Sequence, residues 1–301
     1  MLYCFRMITA KYYDLERKIM KISDINIRDP FVLNDRGKYY LYGTRAANFG
    51  KSTGGFDVYV SDDLESWSEP IPCFDSIKYG LNRDANWAPE VHKFCDKYYM
   101  LATFTGDDGL RGTYILVADD PIGPFAPHSF GHVTPDGWEC LDGTLYVESG
   151  IPYLVFCHEH TQIIDGTVEY LRLSKDLKRA QTSPVTIFKG SSPEWADKKP
   201  SGEHYITDGP FMYTTSNGEL LMVWSTFIKG KYAQCVAKSQ NGTIGGGFIH
   251  LPPLMVDDGG HGMIFRSNER LLLTYHSPNK TGSERPHFVE LSDHGDGISI
   301  C

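Results

Sequence analysis

Three aspartates stand at matching places in this chain. Asp29 lies in Arg28-Asp29-Pro30-Phe31, Asp142 in Leu141-Asp142-Gly143-Thr144, and Asp208 in Thr207-Asp208-Gly209-Pro210-Phe211. Two further segments, Trp87-Ala88-Pro89-Glu90 and Gly260-His261-Gly262, share the pattern without the carboxyl group. Carboxyl groups brought together repel, and burial raises the pKa of at least one. Such a cluster is expected where it does work or binds a cation. Because no nucleophile motif accompanies them, these groups suit hydrolysis of a glycosidic bond. One carboxylic acid protonates the leaving oxygen, while a carboxylate on the other face activates water or attacks carbon. A third holds the acid protonated and oriented. A sugar presents C–H faces that stack on aromatic rings, and Trp87 is the candidate platform.

Residues so far apart meet only if the elements that carry them repeat. The units start at Asp29, Ala88, Asp142, Asp208 and His261, at intervals of 59, 54, 66 and 53 residues. The first copy reads RDPFVLNDRGKYYLYGT and then FDVYVSDDLESW; the other four follow the same plan. Each copy offers three strands bounded by Gly, Asn or Asp, with a weaker fourth, as around Val185–Phe188 and Phe248–Leu251. Four-stranded units at this interval predict an all-β chain, a five-bladed β-propeller of four-stranded antiparallel blades around a central channel. A β-sandwich would need no internal periodicity. The predicted organisation is an N-terminal arm over 1–24 and one propeller domain over 25–301, with helix confined to Tyr12–Met20 at most. The first strand of every blade lines the channel, so the five unit starts should ring one of its mouths.

Composition narrows the partners. The net charge of −9 over 301 residues argues against a general nucleic-acid binder and against docking on an anionic membrane. No apolar run approaches the roughly 20 residues that span a bilayer. The N-terminal stretch, broken by Arg6 and Lys11, has no adequate apolar run for a secretion signal. Seven cysteines without a C-x-x-C pair read as reduced thiols, and a cytoplasmic location is expected.

Several local signals carry less. Residues 50–54 read G-x-S-x-G, but the strand FDVYV follows where a nucleophile elbow needs a helix. The same stretch fails as a phosphate loop, because Arg45 stands where glycine is required. In His158-Glu159-His160 only the two histidines share a face of a strand. His158 is a candidate substrate contact from the third unit.

The five segments, one per unit and in order, resemble glycoside hydrolase family 43, whose fold is a five-bladed propeller. The resemblance covers nearly the whole chain and implies an inverting mechanism. By that likeness Asp29 is the general base, Asp142 stays charged to orient the acid and tune its pKa, and Asp208 is the general acid. The family carries Glu at the acid position, so Glu194, in Ser192-Pro193-Glu194-Trp195, is the alternative acid. Gly143 also departs from a proline the family often has there. Phe31 and Arg285 are further implied substrate contacts. His261 matches a fifth-blade histidine beside a metal ion or water cluster, where a calcium ion on the axis is expected although the chemistry requires no cofactor. The implied substrate is an oligosaccharide carrying terminal α-L-arabinofuranosyl or β-D-xylosyl units, with an endo-arabinanase or a non-catalytic sugar-binding propeller as alternatives.

Overall fold

The computed structural model describes residues 19–51, 54–81 and 83–301. Five antiparallel sheets follow one another along the chain as the blades of a propeller, each built from consecutive strands. Their inner strands are Ile27–Asp35, Asn86–Phe94, Cys140–Glu148, Asp208–Thr214 and Gly260–Ser267. The weaker fourth strands are present as Val185–Lys189 and Phe248–His250. In the first blade the outer edge is split between Ser66–Trp67 and Ile71–Asp75, both paired with Gly55–Ser61. Met20–Lys21 adds to that edge by pairing with Ser66–Trp67, and the turn Ile22–Asp24 that follows lies against Arg285–Asp293 of the fifth blade, so this end of the expected arm is docked on the propeller. Residues 1–18 of the expected arm, and most of the expected helix, lie outside the described residues, as do 52–53 of the G-x-S-x-G stretch. Met20 is in a strand, and the α-helix His160–Ile163 is a single turn.

The middle strands are almost continuously apolar because both of their faces are covered, one by each neighbouring blade. Along Ile151–His158, Leu154 and Phe156 pack with Leu101 and Ile115 of the second blade. Val155 and Cys157 pack with Met222 and Trp224 of the fourth. The same alternation sends Leu221 and Val223 of the fourth blade toward Ile264 and Leu273 of the fifth. Period-two side-chain direction therefore holds, but each face finds a different blade. Truncating one such side chain, for example Leu154→Ala, is expected to cost about 2–5 kcal/mol. Among the described residues no strand is shared between blades. The ring closes through side chains: Asn26 Nδ2 donates to Gly282 O (3.1 Å) and Glu284 O (2.9 Å), and Asn34 Nδ2 donates to Arg266 O (2.8 Å).

One local device repeats in all five inner strands. Near its start, each strand places two residues opposite one on the second strand: register runs from Arg28↔Thr44 directly to Phe31↔Tyr42, and likewise in the other blades. The first residue of each bulge has left-handed backbone, at Asp29 (φ 53°), Ala88 (45°), Asp142 (55°), Gly209 (52°) and His261 (52°). A bulge of this kind re-aims a side chain at a sheet end. At the four non-glycine positions it costs about 1–3 kcal/mol each, which the surrounding packing must offset. The bulges also correct the expected equivalence. In the fourth blade the matching residue is Gly209, and Asp208 stands one position earlier, where the other blades carry Arg28, Trp87, Leu141 and Gly260.

Candidate active site

The bulges gather at one mouth of the channel, and a cavity of about 580 Å³ opens there. Asp29, Asp142, Asp208 and His261 line it together with Arg28, Trp87, Arg111 and Tyr232. The repeat thus brings all three aspartates into one pocket, two through left-handed bulges and the third from the residue before one.

Asp29 is buried and fully engaged. Thr44 Oγ1 donates to its Oδ2 at 2.7 Å, and Arg28 Nε donates to its Oδ1 at 3.2 Å. His261 Nδ1 lies 3.2 Å from the same Oδ1 and 3.8 Å from Asp142 Oδ2. Burial pushes the Asp29 carboxyl up, but His261 and Arg28 outweigh it and hold the group below the usual carboxylate range. The Asp29 N–H donates to His276 Nδ1 at 3.1 Å. Burial keeps that imidazole neutral, with its pKa pushed down to about 3.

The other two carboxyls shift the opposite way. Burial, and then the charge of Asp29, push Asp142 well above its ordinary value. Burial and the neighbouring Asp142 push Asp208 up to about 7. The two titrate as a pair that holds at least one proton near neutral pH. Gly209 N–H donates to Asp142 Oδ2 at 3.0 Å, and Tyr232 OH donates to Asp208 Oδ2 at 2.9 Å. Gly209 is required twice over: its φ is positive, and a Cβ there would lie 2.6 Å from the His261 ring. Gly143 has a neighbouring cause, since any Cβ would come within 2.5 Å of the Thr113 side chain, which excludes the proline expected at that place.

Of the other expected residues, Trp87 lines the cavity, with its ring 5.0 Å from Phe49 and the Arg111 guanidinium 5.2 Å away. Glu194 does not; it is exposed, and Trp195 beside it packs toward Trp224 on the fourth blade. Asp208 is therefore the acid candidate in the pocket. Phe31, the first residue after the bulge, points into the core against His92 and Phe211. His158 stacks on Trp138 at 4.0 Å and bonds Gln162, while His160, at the start of the short helix, faces the cavity instead. Arg285 is spent on main-chain oxygens of Ser23 and Glu284 at the seam between the fifth and first blades. The cavity takes its guanidinium groups from Arg28 and Arg111.

Arg28 was legible beside Asp29 in the motif, but nothing in the sequence marked it as the cavity arginine. Its guanidinium reaches Glu284 Oε1 (3.3 Å) as well as Asp29, and it lies 4.0 Å over the Phe49 ring. Arg111 bridges Glu139 and Glu159. Tyr232 comes from the third strand of the fourth blade, outside every motif.

The expected cation finds few protein ligands. Among the described residues no group of three or more His, Cys, Asp or Glu side chains is arranged to hold a metal. His261 Nδ1 is turned toward Asp29. The residues present do not make a cation cage, and an ion at this place would take most of its ligands from water.

A family model described as glycosyl hydrolases family 43 matches residues 22–291. The chain belongs to that family. Among solved structures, an endo-arabinase from Bacteroides thetaiotaomicron VPI-5482 superposes with a TM-score of 0.82 at 38% identity, over 91% of this chain and 96% of that one. A thermostable family-43 glycoside hydrolase gives 0.80 at 24% identity, over 91% and 92%. An α-L-arabinofuranosidase from Lactobacillus brevis gives 0.72 at 16% identity, over 91% and 93%, a likeness of fold. No curated protein matches the chain. As a family-43 enzyme the protein hydrolyses glycosidic bonds, and its substrate is an oligosaccharide.

Proposed function

We propose that this family-43 enzyme hydrolyses α-L-arabinofuranosyl linkages in arabinan-derived oligosaccharides, with inversion. The observation that carries the chemistry is one cavity lined both by Asp29, held between Arg28 and His261, and by Asp208, whose carboxyl is pushed up to about 7 by burial and the neighbouring Asp142. Asp29 takes a proton from water as the water oxygen attacks the anomeric carbon. Asp208 gives its proton to the glycosidic oxygen as that bond breaks. Asp142 keeps the acid's pKa high, and Arg28 and His261 hold the base in place and in its charged form. Trp87 and Phe49 offer the sugar faces an aromatic wall.

The choice of arabinofuranosyl units is supported by the 38% identity to a chain named an endo-arabinase. The same likeness, to a chain named for endo action, favours cleavage inside a chain over removal of single terminal units. A time course on linear arabinan tests this. Oligomers in the first products support internal cleavage, and arabinose alone from the start overturns it in favour of terminal release. NMR of the first-formed anomer tests inversion. Asp29→Asn is expected to lower the rate about 10²–10⁴-fold, the usual scale for loss of a general base. Full activity in that variant would overturn the base assignment. Binding of arabinan without any cleavage by the wild-type chain would support a sugar-binding propeller instead.

A further inference from the structure

Each inner-strand bulge presents the N–H of its first residue to the preceding blade, and four of the five meet an acceptor in the same place. Ala88 N–H donates to Thr44 Oγ1 (2.7 Å), Asp142 N–H to Thr103 Oγ1 (3.0 Å), His261 N–H to Ser225 Oγ (2.7 Å) and Asp29 N–H to His276 Nδ1 (3.1 Å). All four acceptors sit on the second strand of their blade, paired with the residue before that blade's own bulge: Thr44 with Arg28, Thr103 with Trp87, Ser225 with Asp208, His276 with Gly260. These links run from blade to blade around the channel mouth.

The fifth residue in that position is Cys157, paired with Leu141. A thiol is a weak acceptor. The bulge N–H of the fourth blade, from Gly209, goes instead to Asp142 Oδ2 at 3.0 Å. Cys157 is fully buried, and burial, followed by the charges of Asp142 and Asp208, pushes its thiol far up, so it stays neutral.

We propose that Cys157 is a positioning residue for the proton-donating pair: by failing to accept the Gly209 N–H, it leaves that donor to hold the Asp142 carboxylate. The proposal rests on the reading of Asp142 and Asp208 as the tuned acid pair. A donor on Asp142 favours its ionised form. The pair's proton is then biased toward Asp208, where the leaving oxygen needs it. Gly209 follows Asp208 directly, so the same bond ties the backbone of the acid to its neighbouring carboxylate.

The test compares Cys157→Ser with Cys157→Ala. Serine nearly preserves the volume and offers the hydroxyl acceptor found in three of the other blades. It is expected to draw off the Gly209 N–H and lower kcat about tenfold, the scale of a hydrogen bond to a charged group. KM for a short substrate should move by less than about twofold, because an interaction that matters in the transition state is what is lost. The alkaline limb of the pH profile should rise, since the doubly ionised pair loses a donor. Alanine offers no acceptor and should keep more of kcat than serine while melting at a lower temperature. A purely structural role predicts the reverse order in kcat. The Gly209 amide shift in NMR, or a crystal structure of Cys157→Ser, reports the acceptor without reference to activity. A Gly209–Asp142 bond retained in Cys157→Ser, or a kcat no lower than that of Cys157→Ala, overturns the proposal. Activity surviving in Asp208→Asn and Asp142→Asn would sink the underlying reading instead.

Discussion

The Tyr232 hydroxyl donates to Asp208 Oδ2 at 2.9 Å, and its ring stacks on His276 at 5.6 Å between centroids, 20° from parallel. His276 in turn accepts the Asp29 N–H. One side chain thus touches the acid directly and the base through a single imidazole.

Removing that hydroxyl has a definite sign. A donor to a carboxylate favours its ionised form, so Tyr232→Phe should raise the Asp208 pKa further above about 7. The alkaline limb of the kcat profile should move to higher pH, and kcat at its optimum should fall by a few-fold to about tenfold. An alkaline limb that stays in place would show that Asp208 is not the group setting it.

The raised Asp208 pKa is also a statement about stability. An acid whose folded pKa lies above its unfolded value binds its proton more tightly when folded. Its stabilising effect is complete below about pH 4 and is lost as pH rises through about 7. A shift from 3.8 to about 7 corresponds to an upper bound of about 4 kcal/mol, reduced by water in the cavity. Asp208→Asn should therefore melt higher than the parent at pH 8 while losing activity, and the gap should close toward pH 4. A constant difference in Tm across that range would argue against the shift.

Two arginines separate the cavity from the seam. Arg28→Ala removes a guanidinium that touches Asp29 and leaves Glu284, wholly buried, without that partner. It should cost at least about tenfold in kcat and lower Tm. Arg285→Ala loses contacts to the main-chain oxygens of Ser23 and Glu284, away from the cavity, and KM on arabino-oligosaccharides should stay within about twofold of the parent. A large rise in KM for Arg285→Ala would restore the sugar-gripping role that the family likeness implied.

The blades were legible because each copy announces itself locally. Turn residues bracket apolar runs at a steady interval, and five copies leave little choice of architecture. Asp29, Asp142 and His261 were legible for the same reason: each occupies the bulge of its unit. Asp208 reaches the cavity, but not from the position the repeat implied, since the bulge of the fourth blade falls on Gly209. A shift of one residue between Asp-Gly-Pro and Asp-Pro cannot be seen until the strands are paired. Glu194, Phe31, His158 and Arg285 do not line the cavity, because motif proximity says nothing about which way a side chain leaves the backbone.

The sequence by itself determined the repeat, the five blades and the family, and it pointed to the three aspartates that the fold brings to one cavity, since these follow from turn chemistry, apolar periodicity and short motifs. Only the tertiary structure decided the rest. Tyr232, Arg111 and His276 reach the site from other strands or blades than those carrying the acids. The division of charge among Asp29, Asp142 and Asp208 depends on how the fold buries and brings together residues 66 to 179 positions apart. Electrostatic coupling and burial are properties of space, and the chain order does not contain them.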